Sequence, residues 1–136
     1  MISDRELIDL AIEARKAAYT PYSNFKVGAA LLSKEGEVYK GCNIENAAYN
    51  PTNCAERTAF FKAVSEGVTD FEAIAIVGGY DQEELKFCPP CGVCRQVMME
   101  FCKSDKFRVL LLDEKGEIKS YLLKELLPFG FGPKNL

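Results

Sequence analysis

The run Phe71–Val77, FEAIAIV, is the feature that most restricts the fold. A short apolar stretch of this kind suits a buried strand, and a strand buried in a sheet needs helices to cover it. The flanking segments supply them. Ser3 and Glu6 have the spacing of a capping box. Leu7, Ile8, Ala11, Ala14 and Ala18 recur at helical spacing, predicting a first helix to about Tyr19. Lys26–Ser33 and Glu37–Asn43 read as strands joined by a turn at Lys34-Glu35-Gly36. A long connection follows, and Thr52 or Asn53 can cap a helix over Cys54–Glu66 that ends at Gly67. After Phe71–Val77, Gly78–Pro90 reads as loop, and Pro89-Pro90 leads into a helix over Cys91–Cys102. Arg108–Leu112 and Glu117–Tyr121 form a second hairpin, a short helix covers Leu122–Leu127, and a tail rich in glycine and phenylalanine closes the chain. The order αββαβαββα predicts a three-layer α/β/α fold around one mixed five-stranded sheet, with parallel crossovers through the second and third helices. At 136 residues it predicts a single domain spanning 1–136.

Charge and residue usage narrow the chemistry. A net charge of −3 argues against non-specific polynucleotide binding, which wants a basic face. The apolar runs, such as Val27–Leu32, fall far short of the ~20 residues of a membrane span. The N-terminal segment lacks the apolar stretch of a signal peptide, so a cytoplasmic protein is expected. The chain holds six cysteines and no histidine. A Ser-His-Asp or Cys-His triad, an HExxH site and an imidazole shuttle are therefore excluded. Proton transfer near neutral pH falls to carboxylates, lysines, tyrosines, thiols or a metal-bound water. In a reducing compartment, closely spaced cysteines point to metal or redox chemistry rather than to a disulfide framework.

Cys91-Gly92-Val93-Cys94 is such a pair, and alone it has three readings. It could exchange disulfides, form half of a closed structural zinc site, or form part of a catalytic zinc site. Cys54-Ala55-Glu56 adds a third thiol at a helix start, with a carboxylate two residues beyond it. Three thiolates on two helix N-termini could hold a tetrahedral zinc with its fourth position open, and the helix dipoles would stabilise the anionic sulfurs. C-x-E followed by P-C-x-x-C resembles the zinc-deaminase pattern in its all-cysteine form.

The likeness extends along the chain. The segments YSNFKVGAA (Tyr22–Ala30), GCNIENAAY (Gly41–Tyr49), CAERTA (Cys54–Ala59) and PCGVCRQV (Pro90–Val97) resemble the small homotetrameric cytidine deaminases, as does the tail LLPFGFGPKNL (Leu126–Leu136). The resemblance implies hydrolysis of free cytidine and deoxycytidine to uridine and deoxyuridine with release of ammonia, a step of pyrimidine salvage. It implies one Zn²⁺ per subunit held by Cys54, Cys91 and Cys94. A zinc-bound hydroxide would attack C4, with Glu56 carrying protons from the water to N3 and then to the departing amine. Three thiolates leave a zinc site at −1, against 0 for His-Cys-Cys, and the resemblance assigns Arg57 the offsetting hydrogen bonds to sulfur.

The same resemblance assigns the substrate contacts. Asn43 and Glu45 would hold the sugar 3′-hydroxyl, and Phe25 would stack on the pyrimidine. Ala55 would contact the substrate, Ala47 and Tyr49 would touch sugars across subunits, and Phe131 would enter the base pocket of a neighbour in the tetramer. Cys42 and Cys102 read as packing residues, and Cys88 as a residue outside the ligand set. Three other readings share some of these residues: a blasticidin-type deaminase, a polynucleotide cytosine deaminase, and a non-catalytic zinc or redox module on Cys91 and Cys94.

Overall fold

A computed structural model describes all residues, Met1–Leu136. Its sheet has the strand order β2-β1-β3-β4-β5, with β1 at Phe25–Ser33, β2 at Val38–Cys42, β3 at Phe71–Tyr80, β4 at Arg108–Leu112 and β5 at Ile118–Leu122. Strand β1 runs antiparallel to both β2 and β3, β3 pairs parallel with β4, and β5 closes the far edge antiparallel to β4. The central β3 is buried at Phe71 and from Ala73 to Gly79, which is why that stretch is apolar without alternation.

Side-chain alternation along the strands separates two apolar layers. Ala30, Leu32, Ala73, Ala75, Val77, Leu110 and Leu112 face helix α1 (Asp4–Arg15), which contributes Leu7, Ile8 and Ala11. Ala29, Leu31, Ile74, Ile76, Val109 and Leu111 face the opposite way. There they meet helices α2 (Ala55–Ser65) and α3 (Gly92–Phe101), through Ala59, Phe60, Ala63 and Met98. Phe60 anchors this layer, with its ring centroid 5.1 Å from that of Phe71 and 6.1 Å from that of Phe107. Helix α4 (Leu123–Leu126) adds Leu123 to the same layer, and Pro133–Asn135 form a final 3₁₀ turn. The three-layer fold expected from the element order is the one observed.

Three details differ from the sequence expectation. Helix α1 stops at Arg15 rather than near Tyr19. Beyond it, Tyr19 pairs with the segment after β2, donating its N–H to Asn43 O at 3.0 Å and accepting from Glu45 N at 2.9 Å. That tertiary pairing removes the last turn from the helix. Strand β3 runs on through Gly78 and Gly79 to Tyr80, where a loop was expected, because these residues pair with Val27, Lys26 and Phe25 of β1. The N-cap of α2 is Cys54 itself rather than Thr52 or Asn53. Thr52 Oγ1 instead accepts from Asn46 N at 3.0 Å, and Asn53 Nδ2 donates to Thr58 Oγ1 at 3.1 Å.

Candidate metal and catalytic centre

Sheet topology decides where the helices begin. Strands β2 and β3 are both antiparallel to β1, hence parallel to each other. Helices α2 and α3 follow their C-terminal ends on one face, so both helices start at the same edge of the sheet, where crossover folds place their sites. Close packing brings α2 down onto that edge. A Cβ on Gly41 of β2 would stand 2.4 Å from Ala55 O and 2.6 Å from Ala59 N, so only glycine admits this approach.

The two helix N-caps are Cys54 and Cys91. Their sulfurs lie 3.6 Å apart, and Cys94 N donates to Cys91 Sγ at 3.4 Å. The sulfurs of Cys54, Cys91 and Cys94 all fall within 4.8 Å of one another. Cys88 is outside this cluster, as expected from sequence. The donor set fits zinc: three soft sulfurs at this spacing suit Zn–S bonds of about 2.3 Å, and the missing fourth protein ligand leaves one position open. The grading of exposure is consistent with an opening on one side, since Cys91 is exposed, Cys54 half-buried and Cys94 buried.

Charge is distributed unevenly among these groups. Hydrogen bonds from the Cys94 thiol, from Arg57 and from Cys91 hold Cys54 well below the usual thiol range, against the opposing effect of burial. Cys94 is correspondingly raised, because it shares its proton with Cys54 and is buried. Arg57 donates from Nη2 to Cys54 Sγ at 3.3 Å, and its buried Nε has no partner. Glu56 is 4 % exposed in the first turn of α2. Burial pushes its carboxyl up to about 7, and the Cys54 thiolate adds to that, while its own backbone N–H, the Cys94 thiol and Arg57 pull it down. A carboxyl poised there can both accept and release a proton near neutral pH.

The family model described as the cytidine and deoxycytidylate deaminase zinc-binding region matches residues 1–110. The chain belongs to the cytidine deaminase family. A cytidine deaminase from Halalkalibacterium halodurans is 52 % identical over 134 residues, covering 98 % of each chain. One from Sporosarcina psychrophila is 50 % identical over 131 residues, covering 96 % of this chain and 93 % of the relative. The solved cytidine deaminase from Burkholderia pseudomallei superposes with a TM-score of 0.86 at 45 % identity, covering 96 % of this chain and all of that one. Of the readings open for Cys91 and Cys94, membership in this family and the clustering of Cys54 with them select the zinc enzyme, with a three-cysteine set for one zinc per subunit.

The other residues singled out in this deaminase sequence fall into two groups. Phe25, Asn43, Glu45 and Ala55 lie along the edge where the helices begin. Phe25 opens β1 opposite Tyr80, with the ring centroids 5.1 Å apart and edge-on. Gly78 leaves room for the Phe25 ring and for Cys88, which a Cβ would meet at 3.0 and 2.7 Å. Burial holds the Cys88 thiol protonated, at about 12, and the charges of Glu56 and Cys54 add to this. Asn43 brackets β1, accepting from Val27 N and donating to Phe25 O, both at 2.9 Å. Ala55, fully buried, is the first residue of α2.

Ala47, Tyr49 and Phe131 form the second group and lie exposed. Tyr49 has φ 65° at the tip of the loop between β2 and α2, and lines an open depression of about 380 Å³ with Tyr22, Ser23, Glu45, Asn46 and Thr52. Phe131 is held by its backbone, its carbonyl accepting from Gln96 Nε2 of α3 at 2.7 Å. Sequence reasoning passed over Arg15. Its guanidinium donates to Lys26 O at 2.9 Å and Gly79 O at 2.7 Å, joining the ends of β1 and β3 beside Phe25. It also passed over Ser23, although Ser-x-Phe carries the spacing of a hydroxyl that accepts from the N–H two residues on.

Proposed function

We propose that the protein hydrolyses free cytidine and deoxycytidine to uridine and deoxyuridine, releasing ammonia. The observation that carries this reading is the buried Glu56 beside the Cys54–Cys91–Cys94 cluster, within a chain of the cytidine deaminase family. Zinc held by the three thiolates would supply Lewis acidity that makes water a nucleophile at neutral pH. Glu56 then performs the proton transfers. Its carboxylate accepts the first proton of the attacking water and delivers it to ring N3, then takes the second from the new C4 hydroxyl and passes it to the nitrogen leaving C4, so that water and cytidine balance uridine and ammonia. Arg57 lies against Cys54 and offsets the negative charge of the thiolates.

Binding residues surround this group. Phe25 stacks on the base, and Ala55 packs against it without a bulky side chain. Asn43 and Glu45 take the sugar 3′-hydroxyl. The Asn43 amide retains one N–H and one lone pair beyond its bonds to β1, enough to donate to that oxygen. Phe129 and Phe131 are exposed, a costly arrangement for a lone subunit. In a homotetramer the tail would place Phe131 in a neighbour's base pocket, with Ala47 and Tyr49 touching sugars across the interface. The reaction suits cytoplasmic pyrimidine salvage, acting on free nucleosides rather than polynucleotides. The test is to mix zinc-loaded protein with cytidine, following the ultraviolet spectrum and ammonia together. Equal yields of uridine and ammonia support the reading, and unchanged cytidine contradicts it.

A further inference from the structure

We propose that Ser23 is a positioning residue: its hydroxyl and backbone N–H hold the Glu45 carboxylate so that one acceptor site stays open for the sugar, and the strength of the 3′-hydroxyl contact depends on that hold. The inference rests on the nucleoside reading above and deepens it. Glu45 is half-buried and accepts three protein hydrogen bonds. Oε1 takes the N–H groups of Tyr22 at 2.9 Å and Ser23 at 3.1 Å, and Oε2 takes the Ser23 hydroxyl. An ionised carboxylate offers about four lone-pair sites, so one remains, on Oε2. Glu45 lines the open depression together with Tyr22, Ser23, Asn46, Tyr49 and Thr52.

The Ser23 hydroxyl is hydrogen-bonded on both sides. Its oxygen already accepts from Phe25 N at 3.0 Å, which directs the O–H to Glu45. The Ser23 hydroxyl and the backbone N–H groups of Ser23 and Tyr22 hold the Glu45 carboxyl below its ordinary range against the effect of burial, and Lys26 adds a weaker pull. Glu45 is thus anionic and acceptor-only, and an ether or fluorine in place of the sugar hydroxyl leaves its last lone pair unmatched. The same serine connects the sugar acceptor to the residue that stacks on the base, fixing the distance between the two.

The test compares cytidine with its 3′-deoxy and 3′-fluoro analogues. For Ser23→Ala, the KM for cytidine rises about tenfold with kcat within about twofold, as loss of roughly one charge-assisted hydrogen bond predicts. Its preference for cytidine over the 3′-deoxy analogue falls by a similar factor, and Ser23→Thr, which keeps the hydroxyl, restores that preference. An unchanged preference in Ser23→Ala overturns the proposal. Should Ser23→Ala fail to fold, Ser23→Gly, which also lacks the hydroxyl, carries the same comparison, and the wild-type protein tests the acceptor site itself. A 3′-fluoro substrate as poor as the 3′-deoxy one supports an acceptor-only site, and a 3′-fluoro substrate used like cytidine overturns it. A wild-type protein inert toward cytidine would overturn the functional reading as well.

Discussion

At Glu56 two local forces oppose each other. Its place in the first turn of α2 favours the carboxylate, and its burial disfavours it. The outcome is a group able to change protonation near pH 7, the property a shuttle needs when the chain has no histidine. Arg57, one residue on, points its charge at sulfur rather than at solvent. Removing the guanidinium in Arg57→Ala leaves the Cys54 thiolate without its cation. Residues in this supporting position change metal affinity or activity by about 10–100-fold when lost. We therefore expect Arg57→Ala to keep its far-ultraviolet circular dichroism while zinc retention against a chelator, or turnover, falls by about that factor. Wild-type zinc retention together with wild-type turnover would show that the thiolates need no such partner.

Among the elements, the starts of α2 and α3 matter most, because both ligand-bearing turns depend on how closely the helices approach the sheet. Gly41 sets that approach for α2. In Gly41→Ala the added carbon meets backbone atoms of Ala55 and Ala59, which cannot rotate aside. We expect a loss of about 1–3 kcal/mol, the usual range for overpacking, measured by urea unfolding of the zinc-loaded protein. Zinc affinity should fall in parallel, since Cys54 moves with the helix. A substitution neutral in both assays would contradict the packing account. Much of this level was legible in sequence. The cysteine-led helices, both hairpins and the buried β3 all follow from local apolar pattern and turn chemistry. What was not legible depended on distant partners. Tyr19 leaves α1 for Asn43 and Glu45, and Gly78-Gly79 reads as a break until β1 is there to pair with it. The site divides likewise: spacing marks Cys54, Glu56, Cys91 and Cys94, whereas the hydrogen bond from the Ser23 hydroxyl to Glu45, 22 residues away, appears only once the chain has folded.

For the whole molecule, a single subunit holds the thiol cluster, Glu56, Phe25, Asn43 and Glu45, yet it leaves Tyr49, Phe129 and Phe131 exposed. If neighbours complete each site, specific activity should fall on dilution in step with dissociation seen by sedimentation velocity. A fully active monomer would remove Phe131, Ala47 and Tyr49 from the substrate site. No helix is long and apolar enough to cross a membrane. The central claim remains that one carboxylate carries the protons for a metal held by three thiolates, and Glu56→Gln separates these two roles most directly. With zinc content measured on the same sample, the account predicts a folded variant that keeps its metal and converts no cytidine above about a thousandth of the wild-type rate, within the reach of general acid–base catalysis at about 10²–10⁴-fold. Turnover within tenfold of wild type, at equal zinc content, would contradict it.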